Sequence, residues 1–166
     1  MILYPNEYFK NVTQIREDYL KEHNIKALIL DVDNTLIDYD RNLPNEIANW
    51  VEKMKKANIS MFILSNTNQK DKVEELGNKL GIKYIYFAMK PLKIGFKKVK
   101  KILNLESKNI AVVGDQIFTD VIGANRMKMY SILVEPLKEK DILITKIKRP
   151  VEELIKRRYL KTKEEN

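Results

Sequence analysis

A chain of 166 residues with no cysteine and a single histidine, His23, excludes disulfides, thiolate catalysis and the multi-histidine or cysteine cages that hold zinc. Its length fits one catalytic domain, and charged residues at 33% with no long uncharged apolar run exclude a membrane-spanning helix from the pattern. Chemistry must therefore rest on carboxylates, hydroxyls and lysines, while the net charge of +8 favours polyanions without choosing between nucleic acid and anionic lipid.

The first residues, Met1 to Glu7, lack the basic start and long apolar core of a secretory signal, so the expectation is a cytoplasmic protein. Residues 5–24 follow as an N-terminal helical arm, with Tyr8, Val12, Ile15 and Tyr19 spaced along one stripe. A core over residues 26–135 then alternates strand and helix five times. Its apolar runs are 27–30, 59–64, 84–88, 110–113 and 131–134, the pattern of strands buried on both faces. Helical spacing appears between and after them: Ile47, Val51 and Met54; Val73, Leu76 and Leu80; Phe96, Val99 and Leu103; Val121, Ala124 and Met127. A closing helix over 149–163 carries Val151, Leu154, Ile155 and Tyr159. The alternation predicts one α/β domain over residues 1–166, a Rossmann-like parallel sheet of about five strands flanked by helices, with ligands at the strands' carboxyl ends.

Four of the apolar runs lead into residues that carry chemistry. The first ends in Asp31-Val32-Asp33-Asn34-Thr35, where a chain turning out of a strand can aim one carboxylate at phosphorus and the other at its leaving oxygen. An Asx turn before a helix has the same composition. The second ends in Ser65-Asn66-Thr67-Asn68, either a phosphate cradle or an ordinary helix cap. After the third comes Lys90-Pro91, a cation where a helix could begin, with a solvated surface lysine as the alternative. The fourth gives Gly114-Asp115, followed by Asp120, hard oxygen ligands of the kind magnesium takes. Asp120 could equally cap the next helix. Four such groups in order, each at the end of a predicted parallel strand, make coincidence a poor explanation.

Asp31-Val32-Asp33-Asn34-Thr35, Ser65, Lys90-Pro91 and Gly114-Asp115 with Thr119-Asp120 resemble the four motifs of the haloacid dehalogenase (HAD) superfamily. The finer pattern, including Leu64-Ser65-Asn66 and Gly123-x-Asn125-Arg126, is similar to the YqeG-type subfamily IIIA phosphatases and to the phosphatidylglycerophosphate phosphatases of mitochondria and photosynthetic lineages. The resemblance implies a magnesium-dependent phosphatase. In it Asp31 is the nucleophile, Asp33 the acid and then base, and Ser65 with Asn66 and Lys90 holds phosphate. Asp31, the Asp33 carbonyl and Asp115 bind Mg2+, and Asp120 either binds metal or orients Lys90. An aspartate at position 33 favours phosphoryl chemistry over dehalogenation. The intervals 36–64 and 66–89 leave no room for a cap domain, so the site should be open to a bulky phosphomonoester such as a phospholipid headgroup.

Residues 90–101 hold six lysines and no acid, and residues 138–163 hold ten basic residues against four acidic ones. Lys93, Lys97, Lys148, Arg149, Arg157 and Arg158 then acquire a role in peripheral docking on an anionic membrane at the inner face. Arg126 and Arg149 are candidates for substrate contact, with ordinary ion pairing as the alternative. The competing readings are a capless phosphatase for a nucleotide, sugar phosphate or phosphoprotein, and a non-catalytic partner of RNA or ribosomes. Retention of Asp31, Asp33, Lys90 and Asp115 together weighs against the last.

Overall fold

The structure, a computed structural model, describes residues 2–138 and 143–164, with side chains in the latter stretch from Pro150 onward. Its centre is a six-stranded parallel sheet in the order β1 (Glu7–Phe9), β6 (Tyr130–Val134), β5 (Ile110–Gly114), β2 (Ala27–Leu30), β3 (Ser60–Leu64) and β4 (Lys83–Ile85). Helices α1 (Glu17–Glu22), α2 (Asn45–Lys56), α3 (Lys70–Leu80), α4 (Lys93–Leu103), α5 (Ile122–Arg126) and α6 (Leu143–Glu164) complete the fold.

Every residue of β2 and β5 is buried, which is why these strands read as unbroken apolar runs. The two-residue period of a strand then divides the core between the two faces of the sheet. Leu28, Leu30, Ile63, Ala111 and Val113 pack with Ile47, Trp50, Val51 and Met54 of α2 and with Val73, Leu76 and Leu80 of α3. Ala27, Ile29, Phe62, Leu64, Ile110 and Val112 pack with Phe96 and Val99 of α4 and Ala124 of α5. Each large side chain buried this way contributes about 1.5–3 kcal/mol. A methyl group on Gly123 would overlap the Phe96 ring, so glycine there allows α5 to approach α4 closely.

The sheet has one strand more than the predicted five, because the N-terminal arm is not a single helix. Glu7–Phe9 forms β1, a short 3-10 turn covers Val12–Gln14, and only Glu17–Glu22 is α-helical. Asn6 decides this: its N–H donates to the Ser131 carbonyl at 2.9 Å, while its side-chain oxygen accepts from the Ser131 N–H and hydroxyl at 2.8 and 2.9 Å. That clamp sets β1 in register with β6, and pairing overrides helical spacing. Val12 and Ile15 are fully buried, and the Ile15 carbonyl accepts the Trp50 indole N–H at 2.8 Å.

Strand β4 also stops at Ile85, short of the predicted residue 88, and α6 starts at Leu143 with Pro150 inside it rather than at residue 149. The side chains of Lys148 and Arg149 lie outside the described residues. Residues 36–64 contain only α2 and β3 as named elements, and residues 66–89 only α3 and β4, so no cap domain interrupts the sheet.

Candidate active site

Because all strands run in one direction, the residues that follow them emerge along a single edge. The chain steps outward from β2 through β3 to β4 and from β5 through β6 in the opposite sense, so the crevice between β2 and β5 is a switch point of the topology. Asp31 leaves β2 there with its N–H still bound to the Val113 carbonyl at 2.9 Å. Asp115 leaves β5 beside it.

Lys90 reaches the same crevice from the loop after β4. Phe87 N–H and Ala88 N–H donate to the carbonyls of Thr67 and Ser65, both at 2.9 Å, which extends the pairing past the strand ends. Asn66 then grips the Lys90 backbone from both sides: its side-chain oxygen accepts the Lys90 N–H at 2.6 Å, and its amide nitrogen donates to the Lys90 carbonyl at 2.9 Å. The peptide between Lys90 and Pro91 is cis. Phe87 and Met89 both take left-handed backbone conformations, at φ 50° and 54°, which cost about 1–2 kcal/mol each for residues bearing a side chain. Such strain is held only where surrounding bonds fix it.

The Lys90 ammonium donates to Asp31 Oδ1 and to Asp120 Oδ1, each at 2.6 Å, and all three side chains are buried. Asp120 belongs to a π-helical turn, Ile117–Val121, and its second oxygen accepts the Gln116 N–H at 3.3 Å. Gly114 makes room for it, since a methyl group at that position would overlap the Asp120 carboxylate. Asp31, Asp115 and Asp120 each bring a carboxylate oxygen within 4.8 Å of the others. Gathering three carboxylates in a buried space is costly unless positive charge offsets it. Hard oxygen donors in that arrangement fit a divalent ion of the magnesium type.

The charges register this crowding. Burial, with the neighbouring Asp120 and Asp115, raises the Asp31 carboxyl above the ordinary range, although Lys90 pulls the other way. Burial lowers the Lys90 ammonium, but Asp120 and Asp31 outweigh it, and its affinity for the proton ends above normal.

Of the residues singled out in the sequence, Asp31, Lys90, Asp115 and Asp120 converge. Ser65 lies fully buried at the same edge and accepts the Thr67 N–H at 3.2 Å. Asn66, expected to hold phosphate, has its side-chain oxygen and amide nitrogen on the Lys90 backbone. Asp33 sits half-buried at the mouth, its carboxylate paired with the ammonium of Lys72 from the first turn of α3. Arg126 is exposed and donates to the Pro91 carbonyl at 3.4 Å, bracing the turn after Lys90. Arg157 pairs with Glu153 at 3.2 Å on α6.

Two roles escape motif reading, that of Lys72 and the tether made by Asn34. Lys72 carries a faint signal: a cation in the first turn of a helix opposes the helix dipole, so its position needs another reason. Asn34, at φ 64°, accepts the Leu137 N–H on its carbonyl at 2.9 Å, while its side chain bonds the Lys138 backbone at 2.8 and 3.1 Å. It ties the loop bearing Asp33 to the segment after β6.

Two solved structures share this architecture, which shows the fold alone at their low identity. An uncharacterized protein from Listeria monocytogenes aligns with a TM-score of 0.58 at 20% identity, covering 71% of this chain and 85% of that one. The cobalt-bound deoxy-D-mannose-octulosonate 8-phosphate phosphatase of Haemophilus influenzae aligns with a TM-score of 0.57 at 16% identity, covering 84% and 91%. Fold and site together define a phosphatase of the HAD superfamily. The chain belongs to the Mitochondrial PGP phosphatase family, which it matches over residues 1–137. It is 40% identical over 152 residues to the "Probable phosphatase YqeG" of Bacillus subtilis, covering 91% of this chain and 88% of the relative. It is 33% identical over 128 residues to the mitochondrial phosphatidylglycerophosphatase GEP4 of Saccharomyces cerevisiae, covering 67% of each. Among the described residues, no helix is long and apolar enough to cross a membrane.

Proposed function

We propose that this phosphatase hydrolyses the phosphomonoester of a phospholipid headgroup, phosphatidylglycerophosphate or a close relative, through an aspartyl-phosphate on Asp31 with Mg2+ as cofactor. The observation that carries the chemistry is the convergence of Asp31, Asp115 and Asp120 around the Lys90 ammonium, with Asp33 two residues from Asp31 at the open mouth. Family membership and the relative named as the mitochondrial phosphatidylglycerophosphatase GEP4 support the lipid substrate.

Asp31, Asp115 and the Asp33 carbonyl would hold the ion, with Asp120 close enough to join them. Bound there, Mg2+ supplies positive charge against the repulsion between an anionic nucleophile and an anionic ester. Asp31 attacks phosphorus, the bond from phosphorus to the headgroup oxygen breaks, and Asp33 gives that oxygen its proton. Asp33 then takes a proton from water as the water attacks phosphorus, which releases inorganic phosphate and restores the Asp31 carboxylate. Lys90 keeps one Asp31 oxygen in place during both steps, and Ser65 offers its hydroxyl to a phosphoryl oxygen.

The test is hydrolysis of a chromogenic aryl phosphate with Mg2+. Wild type turns over, chelation abolishes the activity, and Asp31→Asn lowers it by about a thousandfold or more. A phosphoenzyme that hydroxylamine cleaves forms on wild type and not on Asp31→Asn. Equal inactivity of both proteins toward this ester and toward phosphatidylglycerophosphate would end the catalytic reading. Rates on detergent-dispersed phosphatidylglycerophosphate that do not exceed those on nucleotides and sugar phosphates would end the lipid reading alone.

A further inference from the structure

The loop that delivers Lys90 also turns five apolar side chains to the outside: Tyr86, Phe87, Met89, Leu92 and Ile94, between 39% and 58% exposed. Scattered exposed apolar residues are ordinary, but five within nine positions are a patch that asks for a partner. Looseness of the loop does not account for it. Its backbone is pinned at Phe87, Ala88 and Lys90, and the Leu92 N–H closes a turn onto the Met89 carbonyl at 2.9 Å. Between the outward Phe87 and Met89 lies buried Ala88, and after them buried Lys90. The two left-handed residues are the ones that face out. One short segment thus carries the ammonium inward and an apolar ridge outward.

Charge narrows the choice of partner. Residues 83–105 contain seven lysines and no aspartate or glutamate, and Lys93, Lys97, Lys98 and Lys101 are exposed. A second copy of the chain seated on this ridge would set two such lysine arrays against each other. A surface that accepts apolar side chains beneath a layer of negative charge satisfies both features, and an anionic lipid bilayer has that layering. We propose that residues 86–94 form an interfacial wedge. Phe87, Met89, Leu92 and Ile94 enter the acyl boundary, the lysines rest among anionic headgroups, and a phosphomonoester standing up from the same surface meets Lys90 and Asp31 without leaving the membrane. This deepens the lipid-substrate reading and rests on it.

A Phe87→Trp protein reports the event directly, because the native Trp50 is buried and bonded to Ile15 and so gives a constant background. With vesicles of phosphatidylcholine and phosphatidylglycerol, the added indole shifts to the blue and is quenched by lipids brominated on the acyl chains. Pure phosphatidylcholine vesicles give neither change. The double variant Phe87→Ser, Ile94→Ser binds anionic vesicles at least about tenfold more weakly, with melting temperature and kcat/KM on a soluble aryl phosphate unchanged. Its loss on phosphatidylglycerophosphate in vesicles disappears when that lipid is dispersed in detergent.

A wild type that hydrolyses the dispersed lipid but ignores anionic vesicles overturns the wedge and leaves the substrate reading intact. Insertion of the Phe87→Trp protein, with no lipid phosphate hydrolysed by wild type, upholds the wedge and overturns the substrate. Loss of a dimer in the double variant, with no vesicle binding by wild type, assigns the ridge to self-association and overturns the wedge. Capture by an acidic protein with no insertion into vesicles likewise overturns the proposal.

Discussion

At the scale of single residues, the site is a problem in charge balance. Asp31, Asp115 and Asp120 lie close together in a buried space, with Lys90 bonded to two of them, so a cation held there would link its binding to folding. Saturating Mg2+ should raise the melting temperature over the chelated protein, by the equivalent of about 2.7 kcal/mol at a hundredfold excess over Kd. Thermal melts with and without chelator check this, and Asp115→Asn should remove most of the increase. Lys72 bears on a different step. Its ammonium fixes the Asp33 carboxylate, which in the proposed mechanism bears on kcat/KM, set by the first step, where the leaving oxygen needs a proton. Lys72→Met should therefore lower kcat/KM about tenfold to a hundredfold for an alkyl phosphate, within the range general acid catalysis supplies. On an aryl phosphate with an acidic leaving group the change should be small, and Lys72→Arg should recover part of the loss. An equal fall on both esters would deny Lys72 this positioning role.

Among the elements, the segment between β2 and α2 has the most local control. Asp38 is buried and accepts the backbone N–H groups of Asp40 and Asn42 at 2.9 and 3.0 Å while pairing with Lys138 at 2.6 Å. The Lys138 ammonium and the Asn42 N–H hold its carboxyl well below the usual carboxylate range. A carboxyl depressed by folding stabilises the fold fully above its unfolded value of about 4, and that contribution fades as the pH falls further. Asp38→Asn should thus melt below wild type at neutral pH, with the gap narrowing steadily under about pH 4, as melts across pH would record. The same elements show what the sequence makes legible. Asp31, Ser65 and Asp115 can be found because each directly follows the buried end of a strand rich in apolar residues, and Lys90 because a proline marks the turn after it. The strand β1 cannot, since Tyr8, Val12, Ile15 and Tyr19 keep helical spacing while the deciding contact, Asn6 with Ser131, lies 125 residues away. Lys72 is hidden for the same reason, its partner being 39 residues earlier in the chain. Periodicity reports local burial, and distant side-chain bonds leave no trace in it.

For the molecule as a whole, the parallel sheet gathers the candidate site along one edge, and among the described residues no cap domain lies between its strands. On the proposed reading, such an edge leaves room for a headgroup still attached to its lipid, and the exposed ridge from Tyr86 to Ile94 belongs to the same segment that carries Lys90. Beside the turn that carries Asp120, Ile155 of α6 packs with Ile117, Val121 and Leu133, and farther along the helix Tyr159 stacks edge-on to Tyr4 at 5.8 Å. Lys156 adds bonds to Glu135 at 2.7 Å and Glu153 at 3.0 Å. Tyr159→Ala should accordingly cost about 3–5 kcal/mol of stability by chemical denaturation, the range for a buried ring, without changing the response to Mg2+.

Asn34 joins these two ends of the protein. Its backbone carbonyl and both polar atoms of its side chain are occupied by Leu137 and Lys138, immediately before the chain departs toward α6. The loop bearing Asp33 and the segment leading to α6 consequently hang from one peg. Whatever shifts Leu137 or Lys138 is felt at the residue next to Asp33, so the aim of that carboxylate follows the position of this segment.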